Sequence, residues 1–146
     1  EAWVRGPEYT VAIVDGRALP SIRLKTPNAF YDFEAKYQSN STEYLCPAGL
    51  DDADEQALRA LALKAFEAVG CQGWGRVDVM RDEHGDWQLL EVNTVPGMTD
   101  HSLVPMAAKA DGDDFATLVA RILLEAVDRF PPRKANKASK GSKPRG

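Results

Sequence analysis

The chain has 146 residues, of which 44% are apolar, and a net charge of −4: one domain's worth of ordinary soluble composition, small for a complete multidomain enzyme. No apolar run approaches the ~20 residues of a membrane span, and the strand-like, proline-containing start Glu-Ala-Trp-Val-Arg-Gly-Pro is unlike a signal peptide. The charge divides into −10 for residues 1–130 and +6 for residues 131–146, which excludes a globally basic nucleic-acid binder.

In chain order, residues 8–14 and 18–24 read as a hairpin around Asp15-Gly16, a strong turn signal. Val11 and Ile13 fall on one face and Thr10, Ala12 and Val14 on the other. Pro20 places the second strand near an edge or a bulge. These residues read as scaffold. Residues 25–41, KTPNAFYDFEAKYQSNS, have neither helical nor strand periodicity, and a long polar loop with two tyrosines and a lysine suits a lid. Thr42 to Pro47 reads as a further strand. Asp51 to Val69 is an amphipathic helix capped by Asp51, Asp52 or Asp54, with Leu58, Leu61, Ala62, Ala65 and Phe66 on its apolar face and Gly70 as its stop. Cys46 and Cys71 form no CxxC and read as reduced core thiols.

Residues 73–103, GWGRVDVMRDEHGDWQLLEVNTVPGMTDHSL, carry the chemistry. Alternating runs Gly75–Arg81 and Trp87–Asn93 predict a β-hairpin around a turn centred near Glu83 and His84. That register sets Arg76 opposite Glu91 and Asp78 opposite Leu89, with Asp78 and Glu91 as diagonal neighbours, and adds Arg76 and Asn93 to the same face. Two carboxylates and an amide oxygen suit Mg²⁺, which takes one or two carboxylates and fills its octahedron with water and phosphates. A cross-strand Arg76–Glu91 salt bridge beside a solvated Asp78 accounts for the same residues equally well. The loop Thr94–Thr99 then leads into a helix from Leu103 to Ala110 with Ser102 as N-cap, whose first amides suit an anion. His101 reads as a loop-packing residue. A last helix, Asp114 to Arg129, has Phe115, Leu118, Val119, Ile122, Leu123, Ala126 and Val127 as its buried stripe, and Pro131-Pro132 ends the body. Residues 131–146 read as a disordered basic tail.

GWGRVDVM, LLEVNTVPGMT and HSLVPMAA at this joint spacing closely resemble the C-terminal part of D-alanine-D-alanine ligases of the ATP-grasp superfamily. The resemblance spans residues 1 to about 130 and implies an α+β domain, an antiparallel sheet with helices on one side. It implies ATP and two Mg²⁺ ions, with Mn²⁺ as an alternative, held by Asp78, Glu91 and Asn93. Around the nucleotide it sets Glu1, Trp3, Val4, Glu8, Tyr31, Lys36 and Leu90. It gives Arg76, Gly97 and Ser102 catalytic roles, and Tyr37 and Leu103 join them around the D-alanine substrates. The implied reaction forms a dipeptide through an acyl phosphate, for peptidoglycan precursor synthesis in the cytoplasm.

Such ligases also carry an N-terminal half, and are usually homodimers when complete. The expectation is therefore a C-terminal half, whether a fragment, a proteolysed product or one chain of a split enzyme, inactive alone. The alternatives are another ATP-grasp ligase, such as one using D-lactate, or a non-catalytic Mg²⁺/nucleotide-binding module.

Overall fold

The structure is a computed structural model that describes residues 6–25 and 42–131. Within it, β1 (Glu8–Val14) is the middle of an antiparallel sheet. It pairs on one side with β2 (Arg17–Ala18) and β3 (Ile22–Lys25), and on the other with β5 (Trp74–Arg81). Beyond these lie β4 (Glu43–Leu45) and β6 (Trp87–Asn93), giving the order β4-β3-β1-β5-β6. The β1–β2 turn has positive φ at both Asp15 (50°) and Gly16 (72°), the backbone a tight hairpin with native twist requires. The expected second strand of this hairpin is split into β2 and β3 at Leu19-Pro20-Ser21. The break follows from Pro20, which has no N–H to give the ladder.

Alternation along β1 sends its side chains into two separate apolar layers. Tyr9, Val11 and Ile13 join Val77 and Val79 of β5 against α1 (Asp52–Ala68), which buries Leu58, Ala62 and Phe66. Ala12 and Val14 join Leu19 and Ile22 against α2 (Leu103–Ala110), which contributes Val104, Ala107 and Ala108, and against Leu118 of α3 (Phe115–Arg129). Helices therefore cover both faces, not one, because the buried side chains of β1 alternate between them. The Asp51 carboxylate caps α1 by accepting from the Asp54 N–H at 2.7 Å, and Gly70, at φ 77°, ends it.

The last helix departs from its expected burial. Only Leu118 of α3 is fully buried, while Phe115, Leu123 and Val127 are exposed. Periodicity identifies an apolar face, but burial needs a partner, and among the described residues α2 is the principal element packed on α3. Cys46 and Cys71 form no disulfide and are half-buried rather than core. No helix of the described residues is long and apolar enough to cross a membrane.

Candidate functional site

Among the described residues α2 packs chiefly on β1, and the sheet face it covers there continues onto β5 and β6. Here Asp78 lies directly opposite Glu91, and Arg76 directly opposite Asn93. The four share one face, but not in the expected register. The turn spans Asp82–Asp86, with the Asp82 N–H donating to the Asp86 carbonyl at 2.9 Å, so it is centred on His84. A bulge between Asp78 and Val79 then leaves Leu90 as an extra residue on β6, and the two shifts bring Glu91 rather than Leu89 opposite Asp78.

Arg76 pairs neither with Glu91 nor across the strands. Its Nε donates to Asp78 Oδ1 at 2.9 Å and its Nη2 to Asp78 Oδ2 at 3.0 Å, a two-pronged pair two residues apart on one strand. Both side chains are about one-fifth exposed. Glu91 makes no hydrogen bond or ion pair among the described residues, and Asn93 Oδ1 accepts from the Val95 N–H at 3.0 Å, which starts the following loop.

That loop brings the second group of residues to Arg76. Arg76, Gly97, Ser102 and Leu103 line one cleft of about 220 Å³ with Tyr44, Pro96, His101 and Val104. Ser102 holds the N-cap position of α2 without capping it. The third residue of the helix, Pro105, has no N–H to offer a cap, and Ser102 Oγ instead accepts from the Thr99 N–H at 3.0 Å and lies 2.8 Å from Thr99 Oγ1. The first-turn amides of Leu103 and Val104 are thus not consumed by a side chain. A Cβ at Gly97 would come within 3.2 Å of Ser102 Oγ, so a larger residue there would press on the cleft.

Tyr44 lies in β4, within the strand expected from Thr42 to Pro47, and nothing in its sequence neighbours announces a cleft residue. The expectation that His101 packs in the loop is not met: its side chain is 92% exposed. Glu8 is the first residue of β1, exposed, and shares the face of its second neighbour Thr10 and so of Asp78. Leu90 is about half exposed at the bulge. The expected roles of Glu1, Trp3, Val4, Tyr31, Lys36 and Tyr37, and the basic tail from residue 132, fall outside the described residues.

Among the described residues no three His, Cys, Asp or Glu side chains gather as a metal cage. What the face offers is two facing carboxylates with an amide oxygen beside them. That donor set is too sparse for an all-protein calcium cage, and it matches Mg²⁺, which keeps most of its shell for water and phosphate.

Residues 1–124 match the family described as D-ala D-ala ligase C-terminus. A D-alanine–D-alanine ligase of Alcanivorax borkumensis is 78% identical over 129 residues, covering 88% of this chain and 42% of that protein. The chain thus spans about two-fifths of the length of the curated relatives it matches. Among solved structures, the Bacillus anthracis D-alanine–D-alanine ligase complexed with ATP superposes with a TM-score of 0.75 at 32% identity, covering 88% of this chain and 42% of that one. The VanG D-Ala:D-Ser ligase of Enterococcus faecalis superposes with a TM-score of 0.69 at 26% identity, covering 84% and 37%. The chain belongs to the D-alanine–D-alanine ligase C-terminal family.

Proposed function

We propose that this chain provides the catalytic face of an ATP-dependent D-alanine–D-alanine ligase, working with the part of the ligase that its relatives carry beyond the match. The observation that carries the reading is the direct opposition of Asp78 and Glu91, on the same sheet face as Arg76, beside the cleft lined by Gly97, Ser102 and Leu103. The ATP bound in the Bacillus anthracis relative supports the nucleotide.

The chemistry needs two kinds of charge control. A carboxylate is a poor electrophile, so the γ-phosphoryl group passes from ATP to a carboxylate oxygen of the first D-alanine, releasing ADP. The amine of the second D-alanine then attacks the acyl carbon, forms the C–N bond, loses a proton and expels phosphate. Asp78, Glu91 and the Asn93 amide oxygen would hold Mg²⁺, which when bound neutralises the negative phosphate oxygens. Glu91, with both oxygens unengaged among the described residues, would be able to hold more than one such ion.

Arg76 and the Gly97 backbone N–H would stabilise charge on the acyl oxygen. Asp78 takes the Nε–H and one N–H of Nη2 of Arg76, which fixes the guanidinium and leaves both N–H groups of Nη1 and the second of Nη2 to donate. Ser102 and the Leu103 amide hold the carboxylate of the second D-alanine and so aim its amine. Leu90 and Glu8 lie on the nucleotide side. Peptidoglycan precursor synthesis follows from that product.

The decisive experiment joins this chain to the preceding part of the Alcanivorax borkumensis relative and analyses products with ATP and D-alanine. D-alanyl-D-alanine should form, with D-serine and D-lactate poorer as second substrates. Absence of any D-alanine-dependent ADP release would overturn the reading, and faster coupling to D-serine or D-lactate would correct the substrate.

A further inference from the structure

One residue of the supposed scaffold is tied to the carboxylate pair. Thr10 is 2% exposed, in a strand whose neighbours Tyr9, Val11, Ala12, Ile13 and Val14 are all buried and apolar. It is the ladder partner of Asp78 across β1 and β5, and its Oγ1 lies 2.7 Å from Asp78 Oδ1. Among the described residues the only other acceptor near it, the Val77 carbonyl, is 3.4 Å away. A hydroxyl has one proton to give, and the short contact to a charged oxygen takes it. Valine has the same shape and the higher strand preference, so β-sheet packing alone gives no reason for the hydroxyl.

The count of acceptor sites on Asp78 gives the hydroxyl a purpose. A carboxylate has about four lone-pair sites. Among the described residues Thr10 and Arg76 Nε use those of Oδ1, and Arg76 Nη2 uses one on Oδ2, which leaves a single site on Oδ2. The same contacts come from two directions, one from the neighbouring strand and one from two residues along, so the carboxylate cannot rotate without breaking a charge-assisted bond. We infer that Thr10 is a positioning residue for a divalent cation: its hydroxyl locks Asp78 in the one orientation that presents a remaining oxygen lone pair beside Glu91. This rests on the proposed reading of Asp78 and Glu91 as cation ligands. Without the hydroxyl, Asp78 is held by Arg76 alone and follows that long side chain.

The test is a titration with Mn²⁺, in the presence of ATP, of this chain joined to the preceding part of the Alcanivorax borkumensis relative, followed by the electron paramagnetic resonance of the free ion. A protein-free titration at the same ATP concentration is subtracted, because ATP itself binds the ion. Mn²⁺ takes the same oxygen ligands as Mg²⁺. Thr10→Val should weaken Mn²⁺ binding by about tenfold or more, the usual effect of losing a group that orients a ligand. Thr10→Ser, which keeps the hydroxyl and loses the methyl group, should bind within about threefold of the wild type. Should Thr10→Val not fold, Thr10→Ala removes the hydroxyl without its steric demand. Wild-type affinity in the hydroxyl-free variant overturns the inference alone. So does an equal loss in Thr10→Ser, which would assign the effect to packing. A wild-type joined ligase that binds no Mn²⁺ beyond the protein-free control overturns the cation reading of Asp78 and Glu91, and the role of Thr10 with it.

Discussion

Asp78 faces Glu91 across the β5–β6 ladder only because Leu90 is left out of it. Close to the turn the ladder pairs Arg81 with Trp87 and Val79 with Leu89. Continued without a bulge, that register would set Leu90 opposite Asp78 and Glu91 opposite Val77, which is fully buried against α1. A one-residue slip turns a strand over. The bulge therefore keeps Trp87 on the α1 side, where its ring meets Tyr9 edge-on at 5.3 Å, and Glu91 on the opposite side beside Asp78.

Deleting Leu90 tests this geometry, and the expected result is mild. The deletion removes the bulge and leaves every pair from Arg81–Trp87 to Arg76–Asn93 in register. Stability should change by less than about 1 kcal/mol, and the near-ultraviolet signal of the Tyr9–Trp87 pair should persist, while ATP binding weakens through loss of the Leu90 side chain. Collapse of the aromatic signal would show that the strand had turned over.

Gly75 lies under the ring of Phe66. A Cβ there would come within 2.6 Å of Phe66 Cε2 and 2.9 Å of the Asn93 carbonyl. Gly75→Ala should cost about 1–3 kcal/mol in urea unfolding, the usual effect of overpacking. Phe66→Ala, which leaves a cavity in the α1 layer, should cost about 3–5 kcal/mol.

Glu55 makes stability depend on acid pH. Ser21, fully buried, gives it a backbone N–H at 2.8 Å and its hydroxyl, and Arg59 Nε donates at 2.9 Å. Burial pushes the Glu55 carboxyl up, but these bonds and the Arg59 charge outweigh it and hold it below the ordinary glutamate range. A carboxyl depressed in the folded state stabilises the protein above its unfolded value of about 4.3, and the contribution is lost as pH falls through the lower folded value. Unfolding free energy should therefore decline as pH drops below about 4.3. Glu55→Gln should flatten that decline and lower stability at pH 7 by on the order of 1 kcal/mol. An unchanged acid limb would remove Glu55 from this role.

The parts of this fold legible in the sequence are those where burial imposes a period. The two faces of β1 and the apolar stripe of α1 follow from it, and so does the membership of Arg76, Asp78, Glu91 and Asn93 in one face. Register was not legible, since a bulge adds a residue without leaving a mark on the pattern of period two. The adjacent pair Leu89-Leu90 is its only trace. Burial of α3 was overstated for a related reason: Leu123 and Val127 advertise an apolar face, and only tertiary contact decides whether it is covered. The rerouted Ser102 hydroxyl could have been anticipated from Pro105, which denies it the usual capping partner. Thr10 gave no sign, because a threonine on a strand is ordinary until its partner across the ladder is known.

The most direct test of the cation face is the paramagnetic effect of Mn²⁺ on the amide resonances of this chain in the presence of ATP. Line broadening should centre on residues 77–79 and 90–93 and vanish in the double variant Asp78→Asn, Glu91→Gln. Broadening that survives the double substitution, or that centres instead on the acidic turn Asp111–Asp114, would contradict the assignment.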